Sequence, residues 1–143
     1  MDTVYRTIDA NLNRAREGLR VIEEIVRMTL DHPVWAKRLK ALRGELLRAA
    51  QKIPMETLLA KRDTANDVGA ASYSREEKKR RNVADIFAAN FKRTQEALRV
   101  LEEFIKLLDH AAPRAFKRIR FKPYALEKRI YPLLRKRLDT PRH

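Results

Sequence analysis

The chain has 143 residues, with 33 Lys and Arg against 19 Asp and Glu and a formal net charge of +14. It contains no cysteine, which excludes disulfides and thiolate chemistry, and its three widely separated histidines argue against a zinc site. No apolar run approaches the ~18 residues of a membrane span, and the N-terminus lacks a signal-peptide pattern, so we expect a cytoplasmic protein without membrane contact. So large an excess of positive charge indicates anionic partners such as phosphorylated metabolites or nucleic acid.

Long stretches without Gly or Pro carry apolar residues at helical spacing, and no segment alternates with period two, so the predicted fold class is all-α. Pro33 and Pro113 each suit the first turn of a helix, and the segment 74–77 has the pattern of a capping box. In chain order, the first predicted elements are a helix over 3–30, a helix over 33–52 ended by Pro54, and a short helix over 55–62. A loop over 63–73 and a long helix over 75–108 follow. The last helix begins at Pro113, and we expect Pro123 and Pro132 to kink or break it before Arg137.

The most informative feature is an internal repeat. Residues 10–30 align without gaps to residues 89–109, with nine of 21 positions identical, and residues 36–40 match 116–120 after a slip of one residue. Each half is therefore predicted to form a long helix followed by a helix that returns in the opposite direction. This pattern predicts one domain over 1–143, with repeats at about 3–52 and 83–131 linked by the loop 62–74. We expect a pseudo-twofold bundle of two helical hairpins with a short middle helix.

The first repeated helix has a charged face opposite its apolar face. On a helical wheel, the residues on this charged side, which we expect to be solvated, are Arg16, Arg20, Glu23, Glu24 and Arg27. Glu23 and Arg27 have the order and spacing that favour an ion pair along one helix. Most carboxylates of the two long helices are accordingly expected to point outward.

Asn11 lies within the apolar arc of this helix, with Arg14 at its margin, and Asn90 and Arg93 occupy the same places in the second copy. A buried amide must find hydrogen-bond partners, so these residues could form a structural network between the helices. They could instead line a polar ligand site near the pseudo-twofold axis, because arginine binds phosphate through two parallel hydrogen bonds. The residues alone leave both interpretations open.

The segment 62–69 is a second candidate site. It places Arg62 beside Asp63 and Asp67, with Asn66 and Gly69 tolerating unusual backbone conformations. Composition alone favours an ordinary connecting loop with Asx turns. The chain lacks glycine-rich phosphate-binding motifs, so any nucleotide must be held by Arg and Lys side chains and by helix N-termini.

These same segments resemble a known family. The sequences DANLNRAREGLRVIEE, RDT in the loop, ANFKRTQEALRVLEE and RFKPYALE occur in that order. Over about residues 5–130 the chain resembles the helical domain found N-terminal to the barrel in many thiamine-phosphate synthases. That family is identified as an alternative hydroxymethylpyrimidine-phosphate kinase, which makes the pyrophosphorylated pyrimidine that the synthase joins to the thiazole.

The resemblance implies an ATP-dependent kinase with Mg²⁺ as cofactor. Asp63 and Asp67 are then the expected catalytic residues, positioning Mg²⁺ or the attacking hydroxyl. The expected substrate- and phosphate-binding residues are Asn11, Arg14, Arg62, Arg80, Asn90 and Arg93. The expected supporting residues are Glu17, Arg20, Glu96, Arg99, Arg120 and Tyr124.

Two other functions stay open at this point. The chain could be a non-catalytic domain that binds a phosphorylated metabolite or docks on thiamine-phosphate synthase. A homodimer is also possible. It could also be a basic helical nucleic-acid binder, but aromatic residues make up only 7% of the chain and acidic residues interrupt the basic ones. Nucleic acid is therefore the least favoured partner.

Overall fold

A computed structural model of the protein describes residues 1–69, 79–108 and 113–141. This part of the chain is all-helical and contains no strand, which confirms the predicted fold class. None of its helices is long and apolar enough to cross a bilayer. The five helices are α1 (Asp2–Met28), α2 (Pro33–Ala50), α3 (Met55–Lys61), α4 (Val83–Ile105) and α5 (Pro113–Asp139).

The core is built on the pairing of α1 with α4, and α2 and α5 cover α1 and α4 respectively. One core cluster joins Leu12 in the first half of α1 to Leu101 in the second half of α4. The other cluster joins Val26 near the end of α1 to Phe87 near the start of α4. The two long helices are therefore antiparallel.

The long helices approach each other closely at Gly18. A Cβ atom at this position would lie 2.3 Å from Thr94 Oγ1 and 3.2 Å from the carbonyl oxygen of Asn90. Thr94 Oγ1 is buried and has no hydrogen-bond partner among the described residues. Glycine at position 18 thus removes the side chain that would hold α1 away from α4.

The two motif copies make matching local contacts. Asn11 Nδ2 donates to the carbonyl of Thr7, and Asn90 Nδ2 donates to the carbonyl of Ile86, both at 2.8 Å. Arg20 contacts the two glutamates that follow it, as Arg99 does in the second copy. These contacts agree with a repeat, whereas the rotation that relates the two halves stays a prediction.

The ion pairs between hairpin helices change one alignment. Glu23 of α1 pairs with Arg43 of α2, and its repeat counterpart Glu102 of α4 pairs with Arg120 of α5. The pairs therefore match Arg43 with Arg120, whereas the sequence comparison matched Lys40 with Arg120. Relative to the sequence comparison, the alignment of α2 with α5 is therefore shifted by three residues, which is close to one helical turn.

One predicted helix start is wrong, and one of two alternatives for the last helix, a break at its prolines, is excluded. Residues 79–82 are not helical, so no single helix runs over 75–108; α4 begins at Val83, where Asn82 Oδ1 accepts a hydrogen bond from the Asp85 amide at 3.0 Å. The proposed capping box at 74–77 lies outside the described residues. The last helix is not broken at Pro123 or Pro132, because packing of its apolar face, including the buried Pro123 and Ile130, offsets the lost backbone hydrogen bonds.

Candidate functional site

Two clefts meet beside the first half of α1. The first, which we call the loop cleft, lies between α1 and residues 62–68 and has a volume of about 580 Å³. The second, the interhelical cleft, lies between α1 and α4 and has a volume of about 570 Å³. Asn11 and Arg14 line both clefts, so the two clefts adjoin each other at these residues.

The structure brings most of the sequence-predicted site residues to these clefts. Those that line one or both clefts are Asn11, Arg14, Arg62, Asp63, Asp67, Arg80, Arg93 and Glu96. Those that line neither cleft are Glu17, Arg20, Asn90, Arg99, Arg120 and Tyr124.

Arg14 and Arg93 occupy equivalent places in the repeat and line the interhelical cleft together. Both side chains are exposed, and neither forms an ion pair within the described part of the chain. Arg14 Nη1 lies 3.5 Å from Asn11 Oδ1, a weak contact that leaves its other donors for a ligand. Two arginines from antiparallel helices thus face one cavity, an arrangement suited to a phosphate group.

The two asparagines do not form the interhelical network that was one of the two interpretations. Each amide donates to its own helix four residues back, which meets the hydrogen-bond requirement locally. Because α1 and α4 are antiparallel, Asn11 lies beside the first core cluster and Asn90 beside the second. Asn90 is therefore not part of the site that contains Asn11.

The predicted phosphate ligand Arg62 is engaged by an acidic partner that the sequence analysis missed. Its Nε and Nη2 atoms donate to the two carboxylate oxygens of Asp9, each at 2.7 Å. These bonds raise the pKa of Arg62 further above its usual value. Asp9 lies three residues before Leu12, on the face that packs inward, and a carboxylate there needs a basic partner. The pair attaches the loop to α1.

The two loop carboxylates line the loop cleft and take part in Asx-type turns. Asp63 accepts hydrogen bonds from the Asn66 side chain at 2.8 Å and the Asn66 backbone amide at 3.2 Å, and these bonds lower the pKa of Asp63 below its ordinary range. Asp67 Oδ1 accepts from the Gly69 amide at 2.8 Å. The connecting-loop features are therefore present, and both carboxylates lie beside the cleft.

These two carboxylates are too few for a magnesium site made of protein side chains alone, but they suit a site that substrate phosphates and water complete. Within the described residues, no group of three or more His, Cys, Asp or Glu side chains could cage a metal ion. Mg²⁺ in phosphoryl-transfer enzymes is commonly held by one or two carboxylates together with substrate phosphates and water. Asp63 and Asp67 match that second arrangement, in which the ion binds together with a phosphorylated ligand.

The glutamates of the repeated motif do not all face solvent. Glu23, predicted to be solvated and paired with Arg27, is only 3% exposed and contacts Arg43 at 3.1 Å, whereas Arg27 pairs with Glu24. Glu102 is likewise buried against Arg120. A wheel for one helix missed this burial because α2 and α5 cover those faces.

Three of the supporting residues away from the clefts form ion pairs. Arg20 and Arg99 pair with motif glutamates, and Arg120 joins α5 to α4. Tyr124 is about half exposed on α5, beside a separate small cavity. A larger cavity of about 1010 Å³ lies between α1 and α2 and is lined by Arg20, but not by the loop aspartates or Arg14. Most of the predicted catalytic and phosphate-binding residues therefore lie at the two adjoining clefts.

Comparison with known proteins identifies the family. The model of the ThiD2 family matches residues 6–129. The chain belongs to the ThiD2 family. This confirms the resemblance inferred from the motifs, and the match includes all residues that line the two clefts except Thr3. No solved structure matches the chain.

Curated relatives of this ThiD2 chain carry the name thiamine-phosphate synthase. The protein of Nostoc punctiforme is 43% identical over 127 residues, which are 89% of this chain and 35% of that protein. The protein of Synechocystis is 45% identical over 124 residues, which are 87% of this chain and 35% of that protein. The protein of Rhodopirellula baltica is 40% identical over 123 residues, or 86% and 33% of the two chains. The chain spans about a third of the length of these relatives and matches their N-terminal part.

Proposed function

We propose that this ThiD2 chain is a kinase that transfers a phosphoryl group from ATP to 4-amino-5-hydroxymethyl-2-methylpyrimidine phosphate and so makes the pyrimidine pyrophosphate used in thiamine biosynthesis. One observation carries the proposal: Arg14 and Arg93 line one cleft, and that cleft adjoins the cleft of the loop aspartates at Asn11 and Arg14. Phosphoryl transfer requires mainly positioning and charge neutralisation, which such a site supplies. The names of the relatives agree with this pathway.

The proposed step needs no general base. An oxygen of the acceptor's phosphate attacks the γ-phosphorus of ATP, the bond from that phosphorus to the β-phosphate oxygen breaks, and ADP leaves with the electron pair. A phosphate monoester loses its second proton near pH 6, so the attacking oxygen is largely ionised at neutral pH. The acceptor is thus not the hydroxyl that the sequence analysis considered, and no proton must be removed.

The residues then have separate tasks. Arg14 and Arg93 neutralise phosphate oxygens and hold them in line, as arginines do in other phosphoryl-transfer sites. Asp63 and Asp67 would hold Mg²⁺, which when bound neutralises charge on the phosphates. The lowered pKa of Asp63 suits a metal ligand better than a proton acceptor. The Asp9–Arg62 pair keeps the loop against α1.

The main alternative is a non-catalytic domain that binds a phosphorylated metabolite or docks on thiamine-phosphate synthase. The same arginines would serve it, so binding alone does not separate the two functions. For the kinase we expect a cytoplasmic location, where ATP is available. A kinase could also contact thiamine-phosphate synthase or a second copy of this chain. A nucleic-acid binder is less favoured because ion pairs occupy many of the basic side chains.

The deciding experiment combines the purified chain with Mg-ATP and the pyrimidine phosphate and identifies the products by mass. We expect ADP and the pyrimidine pyrophosphate in equal amounts, and no product when Mg²⁺ is chelated. Titration calorimetry with the pyrimidine phosphate runs in parallel. Saturable binding without any ADP would support the non-catalytic domain instead, and tight RNA binding without pyrimidine-phosphate binding would support the nucleic-acid binder.

A further inference from the structure

We infer that the two clefts hold different substrates: the interhelical cleft takes the polyphosphate of the nucleotide donor, and the loop cleft takes the pyrimidine monophosphate. This inference rests on the proposed function and adds a division of labour within the site. It also gives a role to Lys92, a residue on α4 that lines the interhelical cleft and that the sequence motifs did not single out.

The interhelical cleft has the charge that a polyphosphate requires. It is lined by four cationic side chains, Arg14, Arg80, Lys92 and Arg93, and by one carboxylate, Glu96. In the part of the chain that the structure describes, neither Lys92 nor Arg93 belongs to an ion pair. An anion with several negative charges would thus meet Lys92 and Arg93, which form no ion pair with a carboxylate of the described residues.

The loop cleft has a different balance of charge. Asp9, Asp63 and Asp67 line it, and Asp9 already neutralises Arg62. The remaining cations are Arg6 and Arg14. The lining of the loop cleft thus has as many carboxylates as arginines, so a polyphosphate gains less from it than from the interhelical cleft, whereas one phosphate monoester needs only one or two cations.

The polar groups of the loop cleft suit an aminopyrimidine ring. Asn13, Thr64 and Asn66 line it with amide and hydroxyl groups, which can both donate and accept hydrogen bonds. An aminopyrimidine offers an amino donor and ring-nitrogen acceptors, so these groups complement it. The volume of about 580 Å³ falls in the usual range for small-ligand sites.

Arg14 lies where the two substrates would meet. It lines both clefts, so the terminal phosphate of the donor and the phosphate of the acceptor would approach each other beside its guanidinium group. Two phosphates brought together repel, and a planar cation with several donors between them lowers that repulsion. The shared boundary therefore becomes the place of transfer.

The test removes one cation from each cleft and measures two ligands separately by calorimetry. Lys92→Ala changes the interhelical cleft, Arg6→Gln changes the loop cleft, and Lys117→Ala is the matched control, since Lys117 is exposed on α5 and lines neither cleft. The ligands are Mg²⁺ with β,γ-imido-ATP, and the pyrimidine phosphate alone. Melting temperatures check that each variant is folded.

We expect Lys92→Ala to weaken nucleotide binding by about tenfold or more and to leave pyrimidine-phosphate binding within about twofold. Arg6→Gln should show the reverse pattern, and Lys117→Ala should change neither affinity. Arg6 also donates to the Asp63 carbonyl, so if Arg6→Gln unfolds the chain, the Lys92 comparison still decides. The inference is overturned if Lys92→Ala acts like the control, or weakens the pyrimidine phosphate as much as the nucleotide.

Turnover separates this inference from the proposed function. If the wild-type chain makes the pyrophosphate but Lys92→Ala matches Lys117→Ala, the kinase stands and the division of the clefts is wrong. If both ligands bind in the expected pattern but ADP never forms, the clefts are assigned correctly and the kinase proposal fails. If the wild-type chain binds neither ligand, both are wrong.

Discussion

Asp63 combines a structural contact with a charge that the proposed chemistry requires. Asp63→Asn keeps the size of the side chain but removes the charge that would hold Mg²⁺. We expect turnover to fall by ~10²-fold or more while pyrimidine-phosphate binding changes little. Steady-state kinetics over a range of Mg²⁺ concentrations measures this. Asp67→Asn should act in the same direction.

Asn66→Ala is the matched control for Asp63→Asn. It removes the 2.8 Å side-chain hydrogen bond to Asp63 but leaves the carboxylate charged. If both variants lose turnover equally, the effect comes from the loop conformation and not from the charge. If both aspartate variants turn over normally, the loop is only a connector, and Glu96 is the carboxylate to test next because it lines the interhelical cleft and Glu17 does not.

The pH dependence of turnover should follow the acceptor phosphate and not Asp63. The hydrogen bonds from Asn66 lower the pKa of Asp63, so this carboxylate stays ionised and its loop contacts weaken only as the pH falls through that lowered pKa. We expect kcat/KM to decrease below about pH 6, where the phosphate monoester gains a proton. Asp63→Asn should lower kcat/KM at every pH without changing the pH at which kcat/KM begins to decrease. If this decrease at low pH disappears in the mutant, Asp63 is instead a proton acceptor.

Arg14 and Arg93 should each contribute to ligand binding and little to folding. Replacing either by Ala removes a charge-assisted contact with phosphate, worth about 1.5–3 kcal/mol, and no buried apolar group. We expect Arg14→Ala to weaken both substrates and Arg93→Ala mainly the nucleotide, by calorimetry. Arg16→Ala is the control, since Arg16 is exposed on α1 and lines neither cleft. Unchanged affinity with a large fall in melting temperature would make these arginines structural.

At this scale the sequence predicted residues that carry a recognisable motif and missed residues whose role depends on a distant partner. Arg14 and Arg93 were found because helical spacing places both at the edge of an apolar arc. Asp9 and Lys92 were missed, because the first is explained only by Arg62, 53 positions away, and the second only by the cavity it lines.

Among the elements, α4 and α5 are joined by the buried ion pair between Glu102 and Arg120. The side chains are 6% and 14% exposed, so Glu102→Ala leaves a guanidinium largely buried without its partner. We expect the free energy of unfolding to fall by about 3–5 kcal/mol, measured by urea denaturation. Glu103→Ala, at the neighbouring exposed pairs with Arg99 and Lys106, should lower the free energy of unfolding far less, because solvent screens exposed pairs. Equal losses for the two variants would contradict the role assigned to the buried pair.

Helix ends set by local chemistry were predicted better than those set by tertiary packing. Pro33 and Pro113 begin helices as expected, and α3 is placed within one residue. The start of α4 was missed because the capping pattern at 74–77 competes with a second cap, Asn82, eight residues later. The continuation of α5 through two prolines depends on the apolar surface beneath it, which no local pattern reports.

For the whole molecule, the repeat predicted the hairpins but not how they face each other. Antiparallel packing of α1 and α4 places Asn11 and Asn90 by different core clusters, while Arg14 and Arg93, nearer the middle of the pair, line the same cleft. A helical wheel gives the direction of a side chain around one helix only. The shared cleft depends on the position of the second helix along the first.

The close contact at Gly18 gives a test of the twofold relation between the halves. Residue 18 corresponds to Ala97 in the repeat, and Thr94 corresponds to Ala15, so a twofold rotation turns the Gly18–Thr94 contact into an Ala97–Ala15 contact. Gly18→Ala alone places a Cβ 2.3 Å from Thr94 Oγ1 and should destabilise the fold by about 1–3 kcal/mol. The double variant, Gly18→Ala with Thr94→Ala, reproduces the Ala97–Ala15 contact at this position.

We expect the double variant to regain at least the wild-type free energy of unfolding in urea denaturation. It removes the clash and the buried hydroxyl that has no partner in the described chain, and Ala is a better helix former than Gly by about 1 kcal/mol. Thr94→Ala alone, which leaves a small space beside Gly18, is the control. If the double variant stays as unstable as Gly18→Ala, the helices are not equally close at the two contacts, and the halves are not related by a twofold rotation through this crossing.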